Sequence, residues 1–550
     1  MDISYFHKRE MMDFKNLPEN WKVVKLGRVA EVIMGQSPPS SSYNTENIGI
    51  PFLQGKAEFG VFYPNPIKWC SSPIKIAQKE DVLISVRAPV GDVNIAPYQL
   101  CIGRGLAALR CKKQLLNFVY LFYYLKTNKA TIEKLSGGST FQAITKSDLT
   151  NFFIPLPPLP EQKRIVEILS LAEDLIKKQK EAIALIDKIL MSKFLDMFGD
   201  PATNPKGWEV KEFKDVVDIL DSKRIPVNAE EREKRKLKAK QLYPYYGANG
   251  QVDWIDDYIF DGNYLLIAED GGFWGAFEKT SYRVSGKFWV NNHAHIVKGK
   301  KGEALNEYLE LAINILDITR FMSGTTRGKL TQTDMKRILI PIPPLPLQQQ
   351  FAQIVEEFEK KRKELQNTLE TLESLFKLLQ KRAFTGELTA EWREKQKVDW
   401  ELPKITKRQA ILLALLYYSH IVLKKPAMLT FAMKETFLLQ KEAGLNLGYE
   451  FIPYKYGPFS KEVYEDLEEL EKNLLVEKVK PSRDIEKTEV TISEDFKDWT
   501  EKLIDKLPEN HKTLIQSYVQ KYGTLSYNEL IDYVYSHYPE FSIKSKKKRR

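Results

Sequence analysis

Ile154-Pro155-Leu156-Pro157-Pro158-Leu159-Pro160 returns, 186 residues later, as Ile340-Pro341-Ile342-Pro343-Pro344-Leu345-Pro346. Just upstream, Gly138-Ser139-Thr140 returns as Gly324-Thr325-Thr326, and Asp148-Leu149 as Asp334-Met335, at the same offset. Further upstream, Pro18-Glu19-Asn20-Trp21 answers to Pro205-Lys206-Gly207-Trp208 at an offset of 187. A period of this size is too long for a solenoid and means two domain-sized copies in tandem. Each copy closes with a proline-rich stop and a helix. Proline has no N–H to donate and favours extended chain, so the run terminates each domain stiffly. Pro160 and Pro346 then fall in the first turn of the next helix, where a missing N–H costs nothing.

Between these matching ends the apolar strand-like cores correspond, Val82 to Val86 with Tyr264 to Ala268, while the polar residues around them do not. The scaffold is shared and the reading surface differs. Short β-type runs (Pro51 to Leu53, Ala107 to Leu109, Phe288 to Val290) alternate with Gly, Pro and Asn punctuation, which predicts two compact, twisted α+β domains.

The helices carry a register. Ile165, Leu169, Ala172, Ile176, Gln179, Ile183, Ile186 and Leu190 step by four and three. At the 186-residue offset stand Phe351, Val355, Phe358, Arg362, Leu365, Leu369, Leu372 and Phe376. Both are heptad seams, one interrupted by Gln179 and the other by Arg362. Antiparallel pairing is expected to bring these two polar residues together, fixing register at a cost in stability. About 30 helical residues at 1.5 Å rise make a rod of roughly 45 Å. Antiparallel pairing would place the two domains at opposite ends of it, near the spacing of one turn of DNA.

Composition narrows the function. The chain has 550 residues, room for three to four domains at about 150 residues each. A net charge of +10 favours a polyanionic partner. Three cysteines without a Cys-x-x-Cys pair argue against a disulfide framework or a zinc ribbon. Met1 to Glu19 is charged throughout, and the longest apolar run, Ala410 to Leu423, is too short to span a bilayer, so a cytoplasmic protein is expected.

No active-site motif stands out. Gly324 to Lys329 has the wrong spacing for a phosphate-binding loop, and no Asn/Asp-Pro-Pro-aromatic methyltransferase sequence occurs. His293 and His295 read as strand residues and not as metal ligands, and Glu269-Asp270 before Gly271-Gly272 reads as a strand-end turn. No metal or catalytic residue is assigned. The nucleic-acid signals are diffuse but numerous. Lys223 to Lys240 holds eight Lys/Arg against three Glu, suited to phosphate neutralisation or to a solvated helix face. Gln36, Ser37, Gln54, Lys56, Arg87 and Arg104 lie beside glycines or prolines, on loops from which long donors reach base edges. Tyr245, Tyr246 and Asn249 occupy the corresponding loop of copy two. Ser139-Thr140 and Thr325-Thr326, followed by Arg327 and Lys329, are candidates for phosphate contact through hydroxyls, backbone and charge.

From about Leu17 to Leu388 the chain resembles the specificity subunits of type I restriction–modification systems. The resemblance rests on Leu17 to Trp21, Met34-Gly35-Gln36-Ser37-Pro38-Pro39-Ser40, Ile84 to Asp92, both Pro-Pro-Leu-Pro passages and Lys381 to Leu388. It implies a non-catalytic reader of double-stranded DNA with two target-recognition domains and an antiparallel coiled coil. It also implies methyltransferase subunits on the coil and a restriction motor-nuclease subunit. No cofactor is expected in this chain; S-adenosylmethionine, Mg and ATP would belong to those partners. The implied divisions are recognition domain one at 1–158, a central helix at 159–203, recognition domain two at 204–344 and a distal helix at 345–390. A linker at 391–402 and a mostly helical accessory domain at 403–550 follow, the latter resembling Panacea-type and winged-helix-like bacterial domains. The alternatives are a self-sufficient methyltransferase or nuclease with an unrecognised site, and an interaction protein that occupies methyltransferase subunits without reading DNA. The residues leave the DNA sequence itself open.

Overall fold

The computed structural model describes residues 14–135, 143–323, 328–397, 401–424, 426–480 and 488–544. The chain divides into two units, one formed by 1–170 with 377–550 and the other by 171–376. Among the described residues, no helix is long and apolar enough to cross a membrane.

In the first unit, recognition domain one packs two small sheets. A four-stranded sheet runs in the order Ala30–Met34, Leu106–Cys111, Val82–Ser85, Val93–Ile95. A five-stranded sheet runs Tyr43–Asn44, Lys68–Cys70, Ile50–Leu53, Leu100–Ile102, Ile76–Ala77. The apolar runs that the sequence marks as strands are these inner strands, and Val82, Leu83 and Ile84 are fully buried. In the second unit, recognition domain two is built on a six-stranded sheet. Its order is Val217–Ile219, Ala294–Gly299, Phe260–Ala268, Ser281–Val290, Tyr243–Gly247, Gly250–Ile255.

The proline run does more than terminate. Its first half is one strand of a two-stranded ribbon: Phe153–Leu156 pairs antiparallel with Lys22–Lys25, and Leu339–Ile342 pairs with Glu209–Glu212. The registers are equivalent, Lys22 opposite Leu156 and Glu209 opposite Ile342. Prolines are tolerated there because a two-stranded ribbon has free edges. The long helices then begin at Leu159 and Leu345, so Pro160 and Pro346 do sit in first turns. We call Leu159–Phe198 α1 and Leu345–Phe384 α2.

A buried glutamine anchors the start of each. The Gln162 amide donates to the carbonyls of Leu115 and Pro157, both at 2.8 Å, and its oxygen accepts from Asn117 N–H at 2.8 Å. Gln348 donates to the carbonyls of Pro343 at 2.8 Å and Glu303 at 3.3 Å and accepts from Leu305 N–H at 2.9 Å. Beside each stands a buried tyrosine whose hydroxyl donates to the proline run, Tyr120 to Pro155 O at 2.8 Å and Tyr308 to Pro341 O at 2.5 Å.

Within the second unit α1 and α2 pair antiparallel, since Phe194 meets Phe351 edge-on and Lys180 bridges to Glu373. Ile176, Ile186, Leu190, Phe351 and Val355 are buried in the seam; Ile183, Phe358, Leu365, Leu369, Leu372 and Phe376 are half-buried. Ile165 and Leu169 are fully buried in the first unit. The expected meeting of Gln179 with Arg362 does not occur. Gln179 donates to the backbone carbonyl of Leu365 at 2.8 Å, and Arg362 pairs with the Asp187 carboxylate. A guanidinium gains more from an ionised carboxylate than from a neutral amide oxygen, so each polar residue is satisfied separately.

The stretch expected to be a linker is helical over Ala390–Gln396, a segment we call α3. It is fastened to the fully buried Glu161. That carboxylate accepts from Trp21 Nε1 at 3.0 Å, Thr389 Oγ1 at 2.6 Å and Arg393 Nη1 at 2.5 Å. Phe384, near the end of α2, packs edge-on against Tyr120 and Tyr124 in the same unit. The accessory domain is mostly helical, with helices at Lys407–Leu423, Leu429–Lys441, Lys461–Lys472, Lys497–Ile504, Glu509–Tyr522 and Tyr527–His537. After the third of these, Val476–Lys480 forms a strand against Glu489–Ile492.

Breaking a buried pair leaves an uncompensated charge, so Arg393→Ala is expected to cost about 2–3 kcal/mol. Thermal unfolding of the full chain should register it, whereas Arg164→Ala, an exposed pair with Glu167 on α1, should change stability by less than about 0.5 kcal/mol.

Candidate nucleic-acid interface

In recognition domain one the structure gathers most of the residues marked by the sequence. Ser37 Oγ accepts from the Gln54 side-chain amide at 2.9 Å and from Arg104 N–H at 3.2 Å. Gln36 N–H donates to Ile102 O, and Val86 N–H donates to Gly105 O, which places Arg87 beside the same turn. Gln36, Gln54, Arg87 and Arg104 are all exposed. Two glycines make the convergence possible. A Cβ on Gly35 would lie 2.2 Å from Gly103 O, and one on Gly103 would lie 3.0 Å from Gln54 Cα. Lys56 stands apart from this group: it and Lys129 share the single carboxylate of Asp92. Burial raises the Asp92 carboxyl, but the two lysines outweigh this and hold it below the ordinary carboxylate range.

The two copies share one further device. Ile144 N–H donates to Val86 O at 2.9 Å, and Leu330 N–H donates to Glu269 O at 2.8 Å. In each domain the end of a central strand therefore holds the C-terminal base of the Gly-Ser-Thr or Gly-Thr-Thr segment. Ser139, Thr140, Thr325, Thr326 and Arg327 themselves lie outside the described residues. Arg87 bridges Ala143 at this point in copy one, and Asp270 bridges Lys329 in copy two.

Copy two departs from expectation around its aromatic loop. Tyr245 is 1 % exposed, with its hydroxyl donating to Val227 O, and Tyr246 packs among Tyr282 and Phe288. Both lie on the strand Tyr243–Gly247 and not in a loop, Tyr245 in the core and Tyr246 half-buried against it. Asn249 is exposed and donates to Gly271 O at 2.9 Å, beside the turn after Glu269-Asp270. That turn carries Phe273 and Phe277, each 57 % exposed, which the sequence reading passed over. The basic arm at 223–240 is largely neutralised within the domain: Arg224 pairs with Glu269, Arg232 and Lys236 with Asp253, and Arg235 with Asp256. Lys223, Lys238 and Lys240 remain exposed.

Behind this face lies an ionic cluster that sequence reasoning missed, because its members are far apart in the chain. His295, 1 % exposed, has Nδ1 at 2.6 Å from Asp221 Oδ2 and Nε2 at 2.8 Å from Leu330 O. A carbonyl only accepts, and so does an ionised carboxylate, so both ring nitrogens face acceptors. Glu269 takes Arg224 at 2.7 Å and Lys329 at 2.9 Å. Lys329 is therefore committed to the loop base in addition to being exposed. Burial raises both carboxyls, but the hydrogen bond from His295 outweighs it at Asp221, and those from Arg224 and Lys329 outweigh it at Glu269. Both are held below the ordinary range.

A carboxylate depressed in the folded state contributes stability that is complete above its unfolded value, about pH 4, and lost as pH falls through the folded value. Recognition domain two is accordingly expected to lose thermal stability from about pH 4 downward. Asp221→Asn should lower the melting temperature at pH 7 and flatten the acid limb. An acid limb as steep as that of the unaltered chain would remove Asp221 from this account.

Comparison with known proteins places this geometry. The family described as type I restriction modification DNA specificity domain matches twice, at residues 18–185 and 205–374. The description "Antitoxin SocA-like, Panacea domain" matches residues 436–539. The chain is 55% identical over 184 residues to the MjaX type I restriction enzyme specificity subunit of Methanocaldococcus jannaschii, covering 32% of this chain and 43% of that one. It is 26% identical over 422 residues to the MjaIX specificity subunit of the same organism, covering 69% of this chain and 96% of that one. Among solved structures, an HsdS subunit from Thermoanaerobacter tengcongensis is 50% identical over 32% of this chain and 42% of its own, with a TM-score of 0.28. With both halves matched, the chain belongs to the family of type I restriction–modification DNA specificity subunits.

Proposed function

We propose that this chain reads a bipartite, asymmetric sequence in double-stranded DNA, in the cytoplasm, and directs methyltransferase and restriction motor-nuclease subunits to it. One observation carries the bipartite reading. The two recognition domains hold the same strand end against the same loop base, yet present different chemistry there, Arg87 in one and Asp270 with His293 in the other. Equal scaffolds bearing unequal donors and acceptors suit two unlike half-sites. Gln36, Gln54, Arg87 and Arg104 are the candidate base and phosphate contacts of domain one. Asn249, His293, Lys329 and the apolar Phe273 and Phe277 are those of domain two. The catalytic chemistry, with S-adenosylmethionine, Mg and ATP, would belong to the partner subunits.

The methyltransferase contact is assigned to α1. Leu171, Leu175 and Leu185 are 64 %, 46 % and 52 % exposed and share one stripe of the helix, on a surface where charged residues are otherwise the rule.

Two experiments test the proposal. Exchanging residues 20–153 for the equivalent domain of a relative should change one half of the methylated sequence, read by methylation-sensitive sequencing, and leave the other intact. A change in both halves would mean a shared reading surface. In the second experiment, Leu171→Arg with Leu175→Arg should weaken co-purification with the methyltransferase subunit about tenfold or more at unchanged helix content. Undiminished assembly would move that contact elsewhere.

A further inference from the structure

The accessory domain rests on recognition domain one through an interface whose basic residues come from the ribbon strand Lys22–Lys25 and the short helix Leu26–Val29. Lys22 Nζ lies 2.5 Å from Asp498 and over the rings of Phe496 and Trp499, at 5.2 and 5.8 Å from their centroids. Arg28 donates to Glu477 at 2.6 Å and to Ser493 Oγ at 2.5 Å. The two cations are largely buried by this contact, with side chains 14% and 20% exposed. Partial burial and the aromatic faces strengthen such pairs well beyond those on open surface.

Recognition domain two carries the same ribbon and the same short helix, Glu209–Glu212 followed by Phe213–Val216. The ladders match residue for residue, since Lys22 faces Leu156, Lys25 faces Phe153, Glu209 faces Ile342 and Glu212 faces Leu339. At the equivalent positions the charges are reversed: Lys22 becomes Glu209, Lys25 becomes Glu212 and Arg28 becomes Asp215. The apolar residues there are also uncovered. Val210 and Leu339 are 49 % and 48 % exposed, whereas Val23 and Phe153 are half-buried.

We propose that this charge reversal makes the ribbon of recognition domain one the dedicated berth of the accessory domain. The two carboxylates of that contact, Glu477 and Asp498, are accepted by Arg28 and Lys22 and repelled by Asp215 and Glu209. Duplication supplied two equivalent surfaces, and like-charge juxtaposition closes one of them. The accessory domain therefore marks one of the two recognition domains and gives a nearly symmetric reader a distinct first half.

Hydrogen exchange of the full chain tests this. Lys22→Glu with Arg28→Asp installs the side chains of copy two; it should accelerate exchange across 493–500 about fivefold or more, leaving 429–441 unchanged. Adding Glu477→Arg and Asp498→Lys should restore protection, and Glu209→Lys with Asp215→Arg alone should leave 493–500 as it is. Should the first variant fail to fold, Glu477→Gln with Asp498→Asn carries the same expectation without like charges. Unchanged exchange at 493–500, acceleration spread evenly through 407–441, or no restoration in the fourfold variant would each overturn the proposal.

Discussion

Two buried glutamine side chains hold this architecture together. An amide offers two donors and an acceptor, and Gln162 and Gln348 use all of them on backbone groups of the recognition domain that each helix adjoins. A long helix attached through a proline run alone would swing about its first turn. Fixed at its start by three hydrogen bonds in a water-free setting, where an unmade bond costs about 1–3 kcal/mol, it leaves its domain in one direction. Everything downstream of that direction, the heptad seam included, depends on it.

The seam has a different logic from that of a uniform zipper. Its buried residues cluster where a recognition domain covers the helix, as at Leu190, Phe194 and Phe198 with Phe351 and Val355, and thin out to half-buried leucines between. A pair of helices covers only one side of each partner, so its middle stays partly open unless something else packs there. The same economy explains why Gln179 and Arg362 are tolerated. Each sits where water or a rim carboxylate is within reach, so neither demands the other.

The recognition domains show how one scaffold supports two chemistries. What is conserved between copies is backbone: ribbon register, helix start, strand end against loop base. What varies is the charge standing on that backbone. In copy one exposed Arg87 and Arg104 flank the loop base; in copy two Arg224 and the exposed Lys329 both pair with Glu269 there, beside the contact of His295 with Asp221. Such a cluster is costly to desolvate and stable only when complete, so it fixes the loop base rigidly. The ribbon charges vary by the same rule, which separates two surfaces that the backbone leaves equivalent.

By itself the sequence determined the duplication, the α+β class, the strand cores and the two long helices, because these follow from period, hydrophobic spacing and proline chemistry, all local along the chain. The 186-residue offset alone located both helix starts. Ser37, Gln54 and Arg104 were legible as loop residues beside glycines or prolines, but their convergence is tertiary, made by the close backbone approach at Gly35 and Gly103. Tertiary structure alone decided the rest. Tyr245 and Tyr246 have loop-like neighbours in sequence but lie on a strand that two other strands flank, so one is core and the other packs against it. The Gln179 layer takes its partner from helix register, which depends on side-chain reach as much as on heptad count. Glu161 with Arg393, His295 with Asp221 and Lys22 with Asp498 join residues 232, 74 and 476 positions apart. No local pattern predicts such pairs, because a charge reads the same in sequence whether it faces solvent or a partner, and only folding fixes which.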